Sequence, residues 1–496
     1  MALVSCEAMR ALEKEAFRGG VSAEELMDKA GRRLGEALRG LYPRPGTAVA
    51  YLGRGNNGGD ALVALRVLRD AGWRLVARGS YPPHDLGVLP RRKLRELEGV
   101  ALQSGQLDPL DLPRPLLLLD GLLGIGARGP LREPLAALAG EMNQLREQAG
   151  AIVVAVDIPS GLDADRGDPF EGAVRADLTV TIGVPKTGLV ADAATGHVGR
   201  LEVVPLEELP PPAGGDRVVT PQDLRGLLPP RRFDMHKGEA GRVGIVAGSP
   251  GLLGAALLSA AGALRGGAGL VSLYVLENHY PLVVSAGPPP EAMVKPIANY
   301  RAVLSEKIDV LAAGPGIGTL AGDNRAGLCE LLSRFEGSLV VDADALNLVA
   351  EEGPAGILHE RMVVTPHPGE LRRLLPEAAS LGRAETARRF VELFPCTLLS
   401  KGARTIVTAP EQDLHFNSTG TPGMATGGQG DVLTGLLAAL LAGGLAPLDA
   451  ARAGAWLAGR ASELALATGS ESEQSLLAGD TARHLGGAWR ELLGRG

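Results

Sequence analysis

The strongest constraint on this chain is a repeated punctuation. Short runs of Val, Leu, Ile and Ala end in Gly, Asp or Ser, and a helical pattern follows. In the first half these are AVAYLG (48–53), RLVARG (74–79), LLLLDG (116–121), IVVAVDIPSG (152–161) and LTVTIG (178–183). Later come VGIVAGS (243–249), LVSLYV (270–275), VLAAGPG (310–316), LVVDADAL (339–346), MVVTPHPGE (362–370) and TLLSKG (397–402). Strands that are apolar throughout, rather than alternating, are buried on both faces, so helices must cover both sides of a parallel sheet. In such sheets ligands bind outside the carboxyl ends of the strands, where the polar residues of this chain collect.

At 496 residues the chain exceeds one ordinary domain. The alternation stops at LEELPPPAGGD (207–216), a proline run followed by glycines that reads as an inter-domain joint, and restarts near Gly241. The expectation is two α/β domains, 1–212 and 213–496, each a three-layer sandwich. Hydrophobic residues at 45% suffice for two cores, and aromatics at 3% leave those cores to Leu, Val and Ala. The formal charge of -7 is interspersed and offers no basic patch for nucleic acid. Cys6, Cys329 and Cys396 have no metal-ligand spacing and form no disulfide framework, which fits a reducing cytoplasm. MALVSCEAMRALEKEAF lacks a signal-peptide apolar region. VLTGLLAALLAGGLA (432–446) falls short of the ~20 residues of a membrane span and reads as a buried helix. A cytoplasmic protein without nucleic-acid or membrane partners is expected.

The first domain's densest motif is GRGNNGGDA (53–61), between a strand and a helix. Gly53, Gly55 and Gly58 match G-x-G-x-x-G, a Rossmann-like feature. The next strand ends in Arg78 and Ser80, however, not in the acid of an NAD fingerprint. A glycine turn for close helix packing stands beside the ligand reading at even odds. Two amide side chains, Asp60 at a helix start and exposed backbone N–H groups tip the balance toward a phosphate, hydroxyl or small cation. Asp120 ends another strand, followed by Gly124, Gly126 and Gly129; Asp157, Ser160 and Asp163 follow a third, and Lys186 a fourth.

GNNGGD, DGLLGIG, DIPSGLDAD and GVPKTGL, in this order, resemble the YjeF N-terminal family over nearly all of 1–212. That family epimerises NAD(P)H hydrates. The resemblance implies that Asn56, Asn57, Gly58, Gly59 and Asp60 bind the hydrate. It implies that Gly124, Ile125, Gly126, Ala127, Arg128, Gly129, Pro130, Asp157 and Lys186 line it. It further implies a K⁺ ion on Asn57, Asp120 and Ser160, with Asp157 moving a proton at C6. Ala61 stands where the family has glycine, and Ala127 where it has threonine.

In the second domain, NSTGTPGMATGGQGDVLTGLLAALLAG (417–443) sets Gly430-Asp431 directly before an apolar helix. Helix-start N–H groups form an anion hole, and an adjacent carboxylate can take the proton of a hydroxyl being phosphorylated. The plainer reading is an N-capping Asp. GPGIG (314–318), DADALN (342–347), TPHPGE (365–370) and SKGARTIV (400–407) add strand-end groups, and no Walker A motif occurs. This set, with GSPGLLGAALLSAAGALRGGAGLV, resembles the YjeF C-terminal dehydratase family, of ribokinase-like fold, over about residues 230–490. The resemblance implies that Ala255, Gly316, His367 and Asp431 contact the S hydrate. It implies that Lys401, Gly402, Ala403, Arg404, Thr405 and Gly430 hold ADP with Mg²⁺. Gln429 stands where the family usually has threonine.

Together the resemblances imply an epimerase fused to an ADP-dependent dehydratase, acting as a homo-oligomer on NAD(P)H hydrate. Two alternatives stay open at this point: a small-molecule kinase built on the ribokinase-like fold, and a first domain that is only a binding scaffold.

Overall fold

The structure is a computed structural model and describes residues 1–228 and 230–494. The chain divides into two compact units, Met1–Val218 and Val219–Gly496. Among the described residues no helix is long and apolar enough to cross a membrane.

The first unit holds β1 (Thr47–Leu52), β2 (Arg74–Gly79), β3 (Leu102–Gln103), β4 (Leu116–Gly121), β5 (Ile152–Val156), β6 (Leu178–Ile182) and β7 (Arg200–Val204). Their order is β3-β2-β1-β4-β5-β6-β7, with every pairing parallel. The winding reverses between β1 and β4, which is the switch point where such sheets open a crevice. Leu52 lies opposite Gly121 in the register, so the loops carrying GNNGGD and GLLGIG leave the sheet side by side. Alternate residues of one strand feed separate cores. Val49, Tyr51 and Leu118 pack on one face with Met142, and Ala48, Ala50 and Leu117 on the other with Leu34 and Leu62. The helix Ala23–Leu41 starts in a Ser22–Glu25 capping box. It packs on the helix Asn56–Asp70 through Gly31, where a Cβ would lie 2.5 Å from that of Val63.

After a short boundary strand, β8 (Arg217–Val218), come β9 (Arg242–Val246), β10 (Leu270–Leu276), β11 (Ala292–Ile297), β12 (Val310–Ala313) and β13 (Ser338–Val341). β14 (Met362–Val364), β15 (Thr397–Ser400), β16 (Ile406–Thr408) and β17 (His415–Phe416) complete the set. The second unit runs β11-β10-β9-β12-β13-β14-β15-β16-β17, parallel as far as β15 and antiparallel from there. Here the switch point lies between β9 and β12. The apolar stretch after Asp431 forms the buried helix Gln429–Ala442. It lies against the helix Leu253–Gly266 at backbone distance: a Cβ on Gly435 would fall 1.9 Å from the Ser259 carbonyl oxygen, and one on Gly262 2.2 Å from that of Val432. Both units are three-layer α/β sandwiches, as the sequence pattern requires, the first Rossmann-like and the second ribokinase-like.

Two differences have physical causes. The apolar pattern of 152–161 predicts a longer strand, but β5 ends at Val156 because Asp157 adopts φ 67, outside the extended region. β7 (RLEVV) and β11 (AMVKPI) escape the apolar-run criterion because they carry charges, and β11 also a proline. Both are edge strands, where such residues are tolerated.

Candidate functional site

In the first unit the acid ending β4 is the centre of one network. Asp120 is fully buried. Its Oδ2 accepts from the Ser160 amide at 2.7 Å, and its Oδ1 accepts from Ser160 Oγ at 2.6 Å and from the Leu122 amide at 3.2 Å. Burial pushes its carboxyl up to about 6, against the pull of those bonds. Leu123 links the next residue: its amide donates to Ser160 Oγ at 3.0 Å, and its carbonyl accepts from Asn57 Nδ2 at 2.9 Å. Asn57 Nδ2 also donates to the Val156 carbonyl at 2.9 Å. Two carbonyl acceptors fix the amide's orientation, which leaves Oδ1 as the free face of the side chain. Asn57, Ser160 and Asp120 are thus tied into one network, and their amide, hydroxyl and carboxylate oxygens are a donor set whose chemistry suits a hard monovalent cation.

A second network lies beyond β5 and β6. Asp157 Oδ1 accepts from Lys186 Nζ at 2.5 Å, from the Ile182 amide at 3.0 Å and from Thr181 Oγ1 at 3.1 Å. The Lys186 side chain is 1% exposed and that of Asp157 13%, so the pair sits at the floor of the crevice with its acid nearer solvent. Its left-handed backbone is uncommon for a residue with a side chain and is a store of local strain. Asp60 is partly buried, and its carboxyl is held well above the usual range by desolvation first and by Asp157 and Glu13 next. Asn56 and the segment 124–130 are partly or fully exposed, while Gly58 and Gly59 are buried in the helix start. A Cβ on Gly124 would touch Asn57 Cβ at 3.5 Å, which ties the glycine-rich loop to the Asn57 network. Thr181, not flagged by the motif, is signalled only by its place one residue before the end of β6.

In the second unit Asp342 ends β13 and is 1% exposed. Its Oδ1 accepts from Lys401 Nζ at 2.6 Å and its Oδ2 from Thr434 Oγ1 at 2.8 Å. Lys401 Nζ also lies 3.9 Å from Glu370 Oε2. Glu370 in turn accepts from the His367 amide at 2.8 Å, and the His367 imidazole caps the helix Pro368–Leu374 by accepting from the Gly369 amide at 2.9 Å. A Cβ on Gly430 would be 3.4 Å from Lys401 Nζ and 3.5 Å from Asp342 Oδ2, so the helix start faces this ion pair directly. Asp431 follows in the first turn of that helix. Burial and then Asp342 push its carboxyl up to about 6, with Lys401 opposing. Gln429 beside it has both amide atoms buried without a hydrogen-bond partner. Gly316, at φ 61, lies against Ala255, whose Cβ would be 2.9 Å from one added there. Gly318 donates to Asp344 Oδ2 at 2.8 Å. Ala343, between the two acids, again has a left-handed backbone, φ 51.

The SKGART loop is mixed. Gly402 and Ala403 are exposed, and Thr405 Oγ1 donates to the Gly402 carbonyl at 3.2 Å. The Arg404 side chain is buried, and burial followed by Arg383 brings its guanidinium down to about 10. This loop therefore presents Lys401 and main-chain groups rather than the Arg404 charge. Thr434 went unnoticed in the motif, though it lies four residues past Gly430 and hence on the same helix face.

Each unit thus carries a glycine-rich helix start and, beyond the carboxyl ends of its strands, an acid–lysine pair, the arrangement of a two-site α/β enzyme. A family model described as YjeF-related protein N-terminus matches residues 23–188, and one described as NAD(P)H-hydrate dehydratase matches residues 243–482. A bifunctional NAD(P)H-hydrate repair enzyme of Coxiella burnetii is 34% identical, covering 96% of this chain and 97% of its own. Its counterpart in Gloeobacter violaceus is 38% identical, covering 92% and 94%. An ADP/ATP-dependent NAD(P)H-hydrate dehydratase from Bacillus subtilis, co-crystallised with ATP and Mg²⁺, is 28% identical with a TM-score of 0.47, covering 56% of this chain and 99% of its own. The chain belongs to the family of bifunctional NAD(P)H-hydrate repair enzymes.

Proposed function

We propose that the chain restores hydrated NAD(P)H in two steps, epimerising the R and S hydrates at 1–212 and dehydrating the S form at 213–496. The epimerisation site is the Asp157–Lys186 pair with Asn56 to Asp60 and the loop 124–130 around it. Asp157 takes and returns the C6 hydroxyl proton as the hemiaminal opens and recloses on either face. Lys186 holds the carboxylate in place. Asn57, Asp120 and Ser160 would hold a K⁺ ion, which would supply fixed positive charge for the hydrate's oxygens.

At the second site the obstacle is the leaving group, since hydroxide departs poorly from C6. Asp431 accepts the hydroxyl proton while the oxygen attacks the β-phosphorus of ADP and the bond to AMP breaks. Phosphate then leaves C6 as a proton is lost from C5, which restores the double bond. The overall change is hydrate plus ADP to NAD(P)H, AMP and phosphate. Gly430 and its neighbours donate backbone N–H groups to the transferring phosphoryl group, and Lys401 faces it. Mg²⁺ carried with the nucleotide neutralises phosphate charge. Lys401 to Thr405 receive the nucleotide, and Ala255, Gly316 and His367 the hydrate. A homo-oligomer in the cytoplasm, with small-molecule substrates only, completes the reading.

The observation that carries it is the placement of Asp431 at a helix start facing the Asp342–Lys401 pair. The test mixes the protein with both epimers of NADH hydrate, Mg²⁺ and ADP and follows dihydronicotinamide absorbance. Full recovery with release of AMP and phosphate is expected. A stable phosphorylated alcohol made from ATP would replace this reading with a kinase.

A further inference from the structure

The helix Cys6–Arg18 precedes the residues matched by either family model, which begin at 23 and 243. It is nevertheless fastened to both sides of the first unit's crevice. The Arg10 guanidinium donates to the Ile125 carbonyl at 2.6 Å, inside the glycine-rich loop 124–130. Just before the helix, Val4 bridges to Lys186: its amide donates to the Pro185 carbonyl, and its carbonyl accepts from the Thr187 amide, each at 3.0 Å. The Cys6 amide donates to Asp165 Oδ1 at 2.6 Å. Met9 is buried against Gly183, where an added Cβ would come within 3.0 Å of its methyl group.

These contacts join the two parts of the crevice that no strand pairing joins directly. Ile125 lies between Gly124 and Gly126 in a partly exposed loop, so little in the loop itself restricts its backbone. A charge-assisted bond to its carbonyl supplies the missing restraint. Glu13 is one turn beyond Met9 and Arg10. Its carboxyl is raised by burial and then by Asp157, while Lys186 and Arg10 oppose the rise. The helix therefore presents a cation to the loop.

We propose that Arg10 is a positioning residue for epimerisation, clamping the loop 124–130 through the Ile125 carbonyl. The proposal rests on the epimerase reading of the first unit. The second activity of the same chain is the internal control.

The experiment measures epimer exchange and S-hydrate dehydration in the same preparations of wild type, Arg10→Ala and Arg10→Lys. Arg10→Ala raises the KM for exchange about tenfold, the expected loss for one charged hydrogen bond, and leaves dehydration unchanged. Arg10→Lys regains part of the loss. Exchange within twofold of wild type in Arg10→Ala, or equal losses in both activities, would overturn the proposal. Wild type that dehydrates but does not exchange would instead refute the epimerase reading itself.

Discussion

As the proposed base, Asp431 works only when ionised, and its surroundings resist ionisation. Burial and Asp342 raise its carboxyl to about 6, so the protonated form accumulates as the pH falls through that value. Dehydration kcat/KM is therefore expected to be level above about pH 7 and to fall about tenfold per unit well below 6. Asp431→Asn removes both the activity and the limb; a profile flat down to pH 5 would exclude Asp431 as the base. Gln429 supplies a second residue-scale test. Its buried amide atoms lack partners in the protein, and leaving such groups unpaired costs about 1–3 kcal/mol until a ligand satisfies them. Gln429→Ala is expected to weaken nucleotide binding about tenfold by calorimetry while leaving folding stability unchanged or raised. The acids and lysines at strand ends were legible because a chemical group after an apolar run is conspicuous in sequence. Thr181 and Thr434 were not, because each matters only through a partner brought near by folding, Asp157 and Asp342. The burial of the Arg404 side chain was equally invisible: a charge in an exposed-looking glycine turn gives no sign that it points into the protein.

At the scale of elements, the aim of the Gly430-Asp431 turn depends on two helices touching along their backbones. Gly435 leaves no room for a methyl, since a Cβ there would overlap the Ser259 carbonyl at 1.9 Å. Gly435→Ala must push the helix Gln429–Ala442 away from Leu253–Gly266, and overpacking of this kind costs about 1–3 kcal/mol. The helix start moves with the rest, so dehydration is expected to fall further than the loss of stability explains, while epimer exchange persists. Denaturant unfolding together with both assays checks this; wild-type dehydration in Gly435→Ala would show that the helix start is set elsewhere. The elements themselves were readable where burial demands a continuous apolar run, as in β1, β4 and β9. The reading failed at the edges, where β7 and β11 need only one covered face and admit Glu202, Lys295 and Pro296.

For the whole molecule, the decisive fact is that each site draws its groups from one unit: Asn57 to Lys186 in the first, Ala255 to Thr434 in the second. On the proposed reading the two steps share the hydrate that one releases and the other consumes. Replacing K⁺ by a cation too small or too large for the Asn57–Asp120–Ser160 oxygens is expected to slow exchange and leave dehydration alone. Asp157→Asn should stop recovery once the S fraction is spent, and Asp431→Asn should convert R to S but recover nothing. Mixing the two variants carries the argument further. If the S hydrate diffuses freely between sites, the mixture recovers both epimers completely, at a rate that rises with the concentration of each variant. Recovery that stays near the S fraction in the mixture, although each variant keeps its remaining activity, would mean that the hydrate passes within a single chain.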